Sequence, residues 1–345
     1  MNLDPTPVTR HLRAMYGSRV LIAAVCHLRV FDLLAEQPLS LAECGRQLGL
    51  APRPAMVLFP TLLGMGLLEW QPDGRLGVSD TGRYLTSGAV PSLIGYVGLE
   101  QEDAGVLEMV ARLKNDGPAD TSDGLSYVKE GDDPSPMDDP EESRRFTLAL
   151  AGRARLLAPL VAKHLPTGPK HLLDVAGGTG YYTFEWLLRN PEGTATLFDR
   201  PQVLEVAKEL MEDFCRGKQV QSFGDRITFC PGDMLEDALP QADLLLAGSL
   251  FHDWPDDTCA YLMDRFAGAL RTGGELWIHD TFLNDDFVGP VPATDYSAAL
   301  FWATKGRIYS RAEHEAWMRA SDLTPSANRP ATGLEYGLVS GRKQF

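Results

Sequence analysis

Five short apolar runs succeed one another in the second half of this chain: "HLLDVAG" from His171, "TATLFD" from Thr194, "RITFCPG" from Arg226, "ADLLLAG" from Ala242 and "GELWIHDTF" from Gly274. Stretches of helical length separate them. Parallel strands need a crossover of a dozen or more residues, and a sheet covered by helices on both faces reads as near-continuous apolar strands. The alternation therefore predicts an α/β fold built on a parallel sheet with crossover helices. The closing "LEYGLVSGRK", from Leu334, reads as a last edge strand.

The first half is patterned differently. From Arg10 to Ala35 apolar residues recur at helical spacing on a face broader than one small core needs, which reads either as surface for a partner helix or as a helix buried within one chain. "LSLAECGRQLGL" then starts a helix with Ser40 and Glu43 at capping-box spacing, "RPAMVLFPTLLGMGLL" supplies a second helix, and "LLEWQPDGRLGVS" is a hairpin turned at Asp73-Gly74. Helix, helix and hairpin in this order resemble a winged helix. Nucleic acid is nonetheless not expected as a partner. Between residues 40 and 85 the basic residues Arg46, Arg53, Arg75 and Arg83 are cancelled by Glu43, Glu69, Asp73 and Asp80, the second helix has one basic residue at its start and Pro60 inside it, and the whole chain carries a net charge of -15.

At 345 residues the chain is too long for one ordinary core. Three segments are expected: a helical, winged-helix dimerisation domain over 1–100; a linker with a bridging helix over 101–165; and the sheet domain over 166–345. The polar, acidic stretch 114–142 is an exposed connection, read as a lid. A helix runs from near Ser143 to before Pro166. The five scattered cysteines lack C-x-x-C spacing and read as reduced thiols, no signal peptide is legible, and no run of about 18 apolar residues occurs. A cytoplasmic location away from membranes is expected.

"LLDVAGGTGYYTF" joins a strand to a helix through a glycine-rich turn, where a ligand can approach backbone N–H groups. A dinucleotide fingerprint counted from Gly178 and Gly180 needs glycine at 183, where Thr183 stands, and Asp174 before the turn repels a pyrophosphate. Asp174 suits a ligand with a cationic end. Asp199, closing the second strand, suits the two hydroxyls of a ribose; Asp233 and Met234, after the third, suit the edge and face of an adenine. An adenosine with a cationic tail describes S-adenosylmethionine (SAM), with S-adenosylhomocysteine as its product.

With "LLDVAGGTG", "LFDRPQV", "GDM" and "FHDWPDD" the chain resembles the plant-type O-methyltransferase family, including bacterial members that methylate aromatic polyketides in secondary metabolism. The resemblance covers most of the chain and implies a Rossmann-like SAM-dependent methyltransferase sheet with an N-terminal winged-helix part that forms a homodimer. It implies that Asp174, Gly177, Gly178, Gly180, Asp199, Asp233 and Met234 bind SAM, that the helix beginning near Phe146 borders its methionine end, and that His252 is the general base acting on a small aromatic acceptor, with no metal; Arg153 on that helix is read either as meeting the SAM carboxylate or as facing solvent.

Departures from the family pattern are few. Ala176 stands at the first glycine of the turn, a change of little cost if only later positions need unusual backbone angles. Gly248 stands at a lysine position near the adenine, so that contact is either absent or replaced by Ser249. Of two acids expected to flank His252, one matches Asp280; the other position falls on Ile308. Asp253, Asp256 and Asp257 are expected to serve the helix that follows. His279 is expected to point away from Asp280's face, and Tyr296, Phe301 and Trp302 are read either as an acceptor lining or as core.

Methyl transfer from a sulfonium is an in-line displacement, so holding the acceptor about 3 Å from the methyl carbon is the first contribution. A phenol of pKa about 10 is also protonated at neutral pH, and a histidine of pKa about 6.5 can take its proton during attack. Two alternatives stand beside aromatic O-methylation: a SAM-binding relative with different chemistry (C- or N-methylation, decarboxylation or hydroxylation), and a non-catalytic winged-helix regulator.

Overall fold

A computed structural model describes residues 4–117, 135–168 and 170–344. In chain order its elements are α1 Thr6–Ile22, α2 Val30–Glu36, α3 Leu41–Leu48, α4 Pro52–Gly64, β1 Leu68–Trp70, β2 Leu76–Val78, α5 Ile94–Val97, α6 Ala104–Asn115, α7 Pro140–Ala162, β3 His171–Val175, α8 Tyr181–Arg189, β4 Thr194–Asp199, α9 Pro201–Lys218, β5 Ile227–Pro231, β6 Ala242–Gly248, α10 Asp256–Ala269, β7 Leu270–Thr281, α11 Val291–Ala303, α12 Arg311–Ala320, β8 Leu323–Pro325, β9 Ala331–Gly333 and β10 Tyr336–Lys343. The chain divides into two compact units, Met1–Ser126 with Phe282–Ser310, and Tyr127–Thr281 with Arg311–Phe345. Phe282–Ser310 thus groups with the N-terminal residues, an excursion that three consecutive segments do not contain. Most of the stretch read as a lid, 118–134, lies outside the described residues.

In the first unit the expected long N-terminal helix is interrupted: Arg29 takes φ 55°, and α2 starts afresh behind it. The capping box of α3 forms as read, Ser40 N donating to Glu43 Oε2 at 2.8 Å, and β1 pairs antiparallel with β2 around Gly74 at φ 78°. The core gathers Val20 and Phe31 with Leu58, Phe59 and Leu62 of α4, and closes on Ala298 and Phe301 of α11. Phe301 is therefore core rather than lining; Trp302 packs edge-on to Tyr16 with ring centres 5.8 Å apart.

In the second unit the strand order is β5-β4-β3-β6-β7-β10-β8, with β9 also on β10. β5 to β7 run parallel and β10 is antiparallel to β7, so the sheet is Rossmann-like. β10 is not an edge: it pairs with β7 on one side and with β8 and β9 on the other, and its first six residues are buried. α7 begins before Ser143, because the Asp139 carboxylate accepts from the N–H groups of Glu141 and Glu142 and Pro140 needs no N–H partner at that position. No helix among the described residues is long and apolar enough to cross a membrane.

Candidate active site

β3, β4 and β6 all end on one edge of the second unit's sheet, and the side chains that follow them make the site. Asp174, on β3, is buried and accepts from Thr183 Oγ1 at 2.7 Å. Thr183 occupies the position of the missing third glycine and supports the carboxylate instead. Burial pushes the Asp174 carboxyl up to about 7, with the nearby Asp199 charge adding to the rise.

The turn from β3 to α8 brings the backbone close. A Cβ on Gly177 would stand 2.2 Å from Leu197 Cδ1 and 2.9 Å from Asp174 Cγ, so no side chain fits there. Ala176 corrects the expectation for this turn: it is itself left-handed, with φ 52°, as are Gly178 at 54° and Gly180 at 75°. A left-handed alanine costs about 1–2 kcal/mol relative to ordinary backbone. It is held by its N–H donating to Phe198 O on β4 at 2.8 Å.

Asp199 receives one backbone donor on each oxygen, Gly178 N at 2.8 Å and Arg200 N at 2.7 Å. Burial pushes its carboxyl up to about 6, against the lowering effect of these two bonds, yet part of the side chain stays accessible. Asp233 is fixed by Leu235 N at 2.8 Å and by Arg200 Nη1 at 2.8 Å, and Met234 beside it is half-buried.

His252 lies in a single 3-10 turn, Phe251–Asp253, immediately after β6. Its Nδ1 is 2.6 Å from Asp280 Oδ1, both groups buried. Asp280 also accepts from Thr281 N at 2.8 Å, while its Oδ2 is buried with no hydrogen-bond partner among the described residues. On the other side of the ring, Asp253 Oδ1 is 3.6 Å from Nε2. Burial alone would lower the imidazolium's pKa; the Asp280 and Asp253 carboxylates outweigh it and push the group up to about 9. The unperturbed value near 6.5 thus does not hold here. Asp253 itself is pushed up by burial.

Two sequence expectations change at this point. Asp253 does not cap the next helix: α10 has Pro255 at its cap, without a side-chain cap bond, and Asp256 and Asp257 in its first turn. The second acid beside His252 is Asp253, whereas Ile308 is fully buried in an apolar cluster with Leu283, Ala293 and Leu300. The adjacent His-Asp pair in the sequence was the available signal.

His279 points away from Asp280, as strand alternation requires. Its ring stacks on Tyr336 and meets Tyr182 edge-on, its Nε2 is 2.8 Å from Thr332 Oγ1, and burial lowers its pKa to about 3. It is a packed, neutral histidine. Arg153 on α7 donates from Nη1 to Tyr336 Oη at 2.7 Å and is half-buried, not solvated. Ser249 adopts φ 55°, its N–H donates to His279 O at 2.8 Å, and its buried Oγ has no partner among the described residues. Gln202 Oε1, at the start of α9, is likewise buried and unpartnered. A glycine turn that leaves backbone open, a buried Asp174 carboxylate with no ion-pair partner among the described residues and these unpartnered polar atoms fit an adenosine with a cationic tail.

The sequence profile of the O-methyltransferase domain matches residues 133–321. Bovine acetylserotonin O-methyltransferase is 30% identical over 94% of this chain and 94% of its own, and the 3-hydroxy-5-methyl-1-naphthoate 3-O-methyltransferase of Streptomyces sahachiroi is 29% identical over 98% and 95%. Among solved structures, an O-methyltransferase family 2 protein from Planctomyces limnophilus, in complex with apigenin, superposes with a TM-score of 0.86 at 36% identity, covering 99% of this chain and 97% of that one. The chain belongs to the O-methyltransferase family, enzymes that draw the methyl group from S-adenosylmethionine.

Proposed function

We propose that this protein transfers the methyl group of SAM to a hydroxyl of a small aromatic acceptor, with His252 as general base. The carrying observation is the 2.6 Å contact of His252 Nδ1 with Asp280 at the sheet edge that bears the glycine turn. The carboxylate favours the tautomer with its proton on Nδ1, which leaves Nε2 to receive the acceptor's proton. SAM, when bound, supplies a methyl on a sulfonium leaving group. Asp174 faces its cationic end, Asp199 its ribose hydroxyls, Asp233 and Met234 its adenine, with Ser249 and Arg153 as further contacts. Aromatic hydroxyl acceptors are favoured by the relatives, which are named for acetylserotonin and a hydroxynaphthoate, and by the apigenin complex. With Ile308 at the second acid position, other SAM chemistry stays open as an alternative, and Asp253 beside Nε2 weighs against it by supplying an acid there.

Incubation of the purified protein with SAM and a panel of phenolic, polyketide and indolic compounds is expected to yield O-methylated product by mass spectrometry. Gain of methyl only on carbon or nitrogen would reject the O-methylation reading. All five cysteines are free thiols, consistent with a reducing cytoplasm.

We further propose a homodimer formed through the N-terminal unit. α1 exposes Val8 at 70% and Leu12 at 66%, and the stretch around α5 exposes Val90 at 97% and Tyr96 at 77%, more apolar surface than solvent favours on a monomer. Sedimentation is expected to give a dimer, and Leu12→Glu with Tyr96→Glu a folded monomer; a monomeric wild type would remove the proposal.

A further inference from the structure

Arg200 follows Asp199 directly, and this one residue engages three carboxylates. Its backbone N donates to Asp199 Oδ1 at 2.7 Å, its Nε to Asp138 Oδ1 at 2.8 Å with Nη2 on the same oxygen, and its Nη1 to Asp233 Oδ2 at 2.8 Å. Both side-chain partners are already fixed from elsewhere. Asp138 closes a capped 3-10 turn, Pro136–Asp138, in which its other oxygen accepts from Ser135 N at 3.1 Å. Asp233 accepts from Leu235 N, while its own N–H donates to Asp237 Oδ2 at 2.8 Å. The guanidinium therefore ties the turn ahead of α7 to the loop after β5. Only a rigid planar fork reaches two such anchors in fixed geometry; a lysine ammonium on its flexible stem would not hold both in place.

We propose that Arg200 is a positioning residue: it sets the Asp233 carboxylate to accept from the exocyclic amine of adenine and fastens the Pro136–Asp138 turn at that end of the bound nucleoside. The inference rests on the reading of this site as a SAM site. Three like charges at one sheet edge would repel one another, and Arg200 offsets them while fixing the Asp233 rotamer before the ligand arrives. Asp233 then loses little side-chain freedom on binding. Arg200 and Asp138 side chains are 24% and 32% exposed, so the clasp responds to salt.

The test measures dissociation of S-adenosylhomocysteine from the full-length protein at low and high NaCl, with S-inosylhomocysteine, which carries a carbonyl in place of the amine, as a second ligand. In the wild type, release is expected to speed up with salt and adenine to be preferred over hypoxanthine. Arg200→Met is expected to release S-adenosylhomocysteine about tenfold faster, with a flattened salt response and a reduced adenine preference, because two charge-assisted hydrogen-bond sets are lost. Arg200→Lys is expected to fall between them. Asp138→Asn should accelerate release in the wild type but add little to Arg200→Met. If wild-type protein binds S-adenosylhomocysteine and Arg200→Met matches it in rate, salt response and base preference, the inference is overturned while the SAM reading stands. If the wild type binds neither ligand, both fall.

Discussion

His252→Ala is expected to lower methyl transfer by about 10²–10⁴-fold, the usual worth of a positioned general base, while calorimetry finds SAM binding unchanged. The loss falls on kcat because the imidazole acts on the acceptor's proton during attack. With His252 pushed up to about 9 by Asp280 and Asp253 against its burial, the base form is scarce at neutral pH, and kcat/KM is expected to rise with pH until about 9. A phenol of pKa about 10 then loses its proton to a base nearly matched to it. Asp280→Asn removes the stronger carboxylate, so the rising limb should move to lower pH. The same raised value has a stability consequence. Its stabilisation is fully present below the unfolded histidine's pKa and is lost as pH rises through about 9. A variant that methylates at the wild-type rate, or a flat pH profile, would remove His252 as the base.

Asp199→Ala is expected to weaken SAM binding by about 10²-fold or more, since hydrogen bonds to a charged group contribute about 1.5–3 kcal/mol each and a ribose supplies two hydroxyls. The same carboxyl makes the stability of the ligand-free protein depend on pH. Asp199 has its folded pKa raised to about 6, so its ionisation costs stability that begins to be lost above the unfolded carboxylate's pKa and levels off above about 6. Thermal unfolding of wild type across that window is expected to decline with pH more steeply than that of Asp199→Ala. An unchanged SAM dissociation constant would end the ribose assignment.

The sheet and its acidic strand ends were readable because apolar runs and their spacing are local signals: Asp174, Asp199 and Asp280 stand where strands end or face the site, and His252 follows one. Asp253 was misread because a single 3-10 turn has no periodicity from which to infer which way its side chains point. Ala176 gave no hint of its left-handed backbone, since alanine has no preference for it; only the β4 carbonyl that holds it explains the angle. Arg200 meets Asp138 across 62 residues, a pairing that no local pattern encodes. β10 looked like an edge because Gly337, Ser340, Gly341 and Arg342 interrupt its apolar run, yet strands on both sides bury it.

The excursion from Phe282 to Ser310 bears on how the chain comes into being. An isolated bridge between Leu283 and Ser310 joins the two ends of the excursion. The N-terminal core lacks Ala298 and Phe301 until those residues have left the ribosome, by which point β3 to β7 have already been made; the sheet in turn waits for β10. Neither unit can finish as an independent early product of synthesis. For the same reason no single cut in the chain yields two complete halves, and exchanging one unit with a relative would require three junctions, after Ser126, Thr281 and Ser310, rather than one.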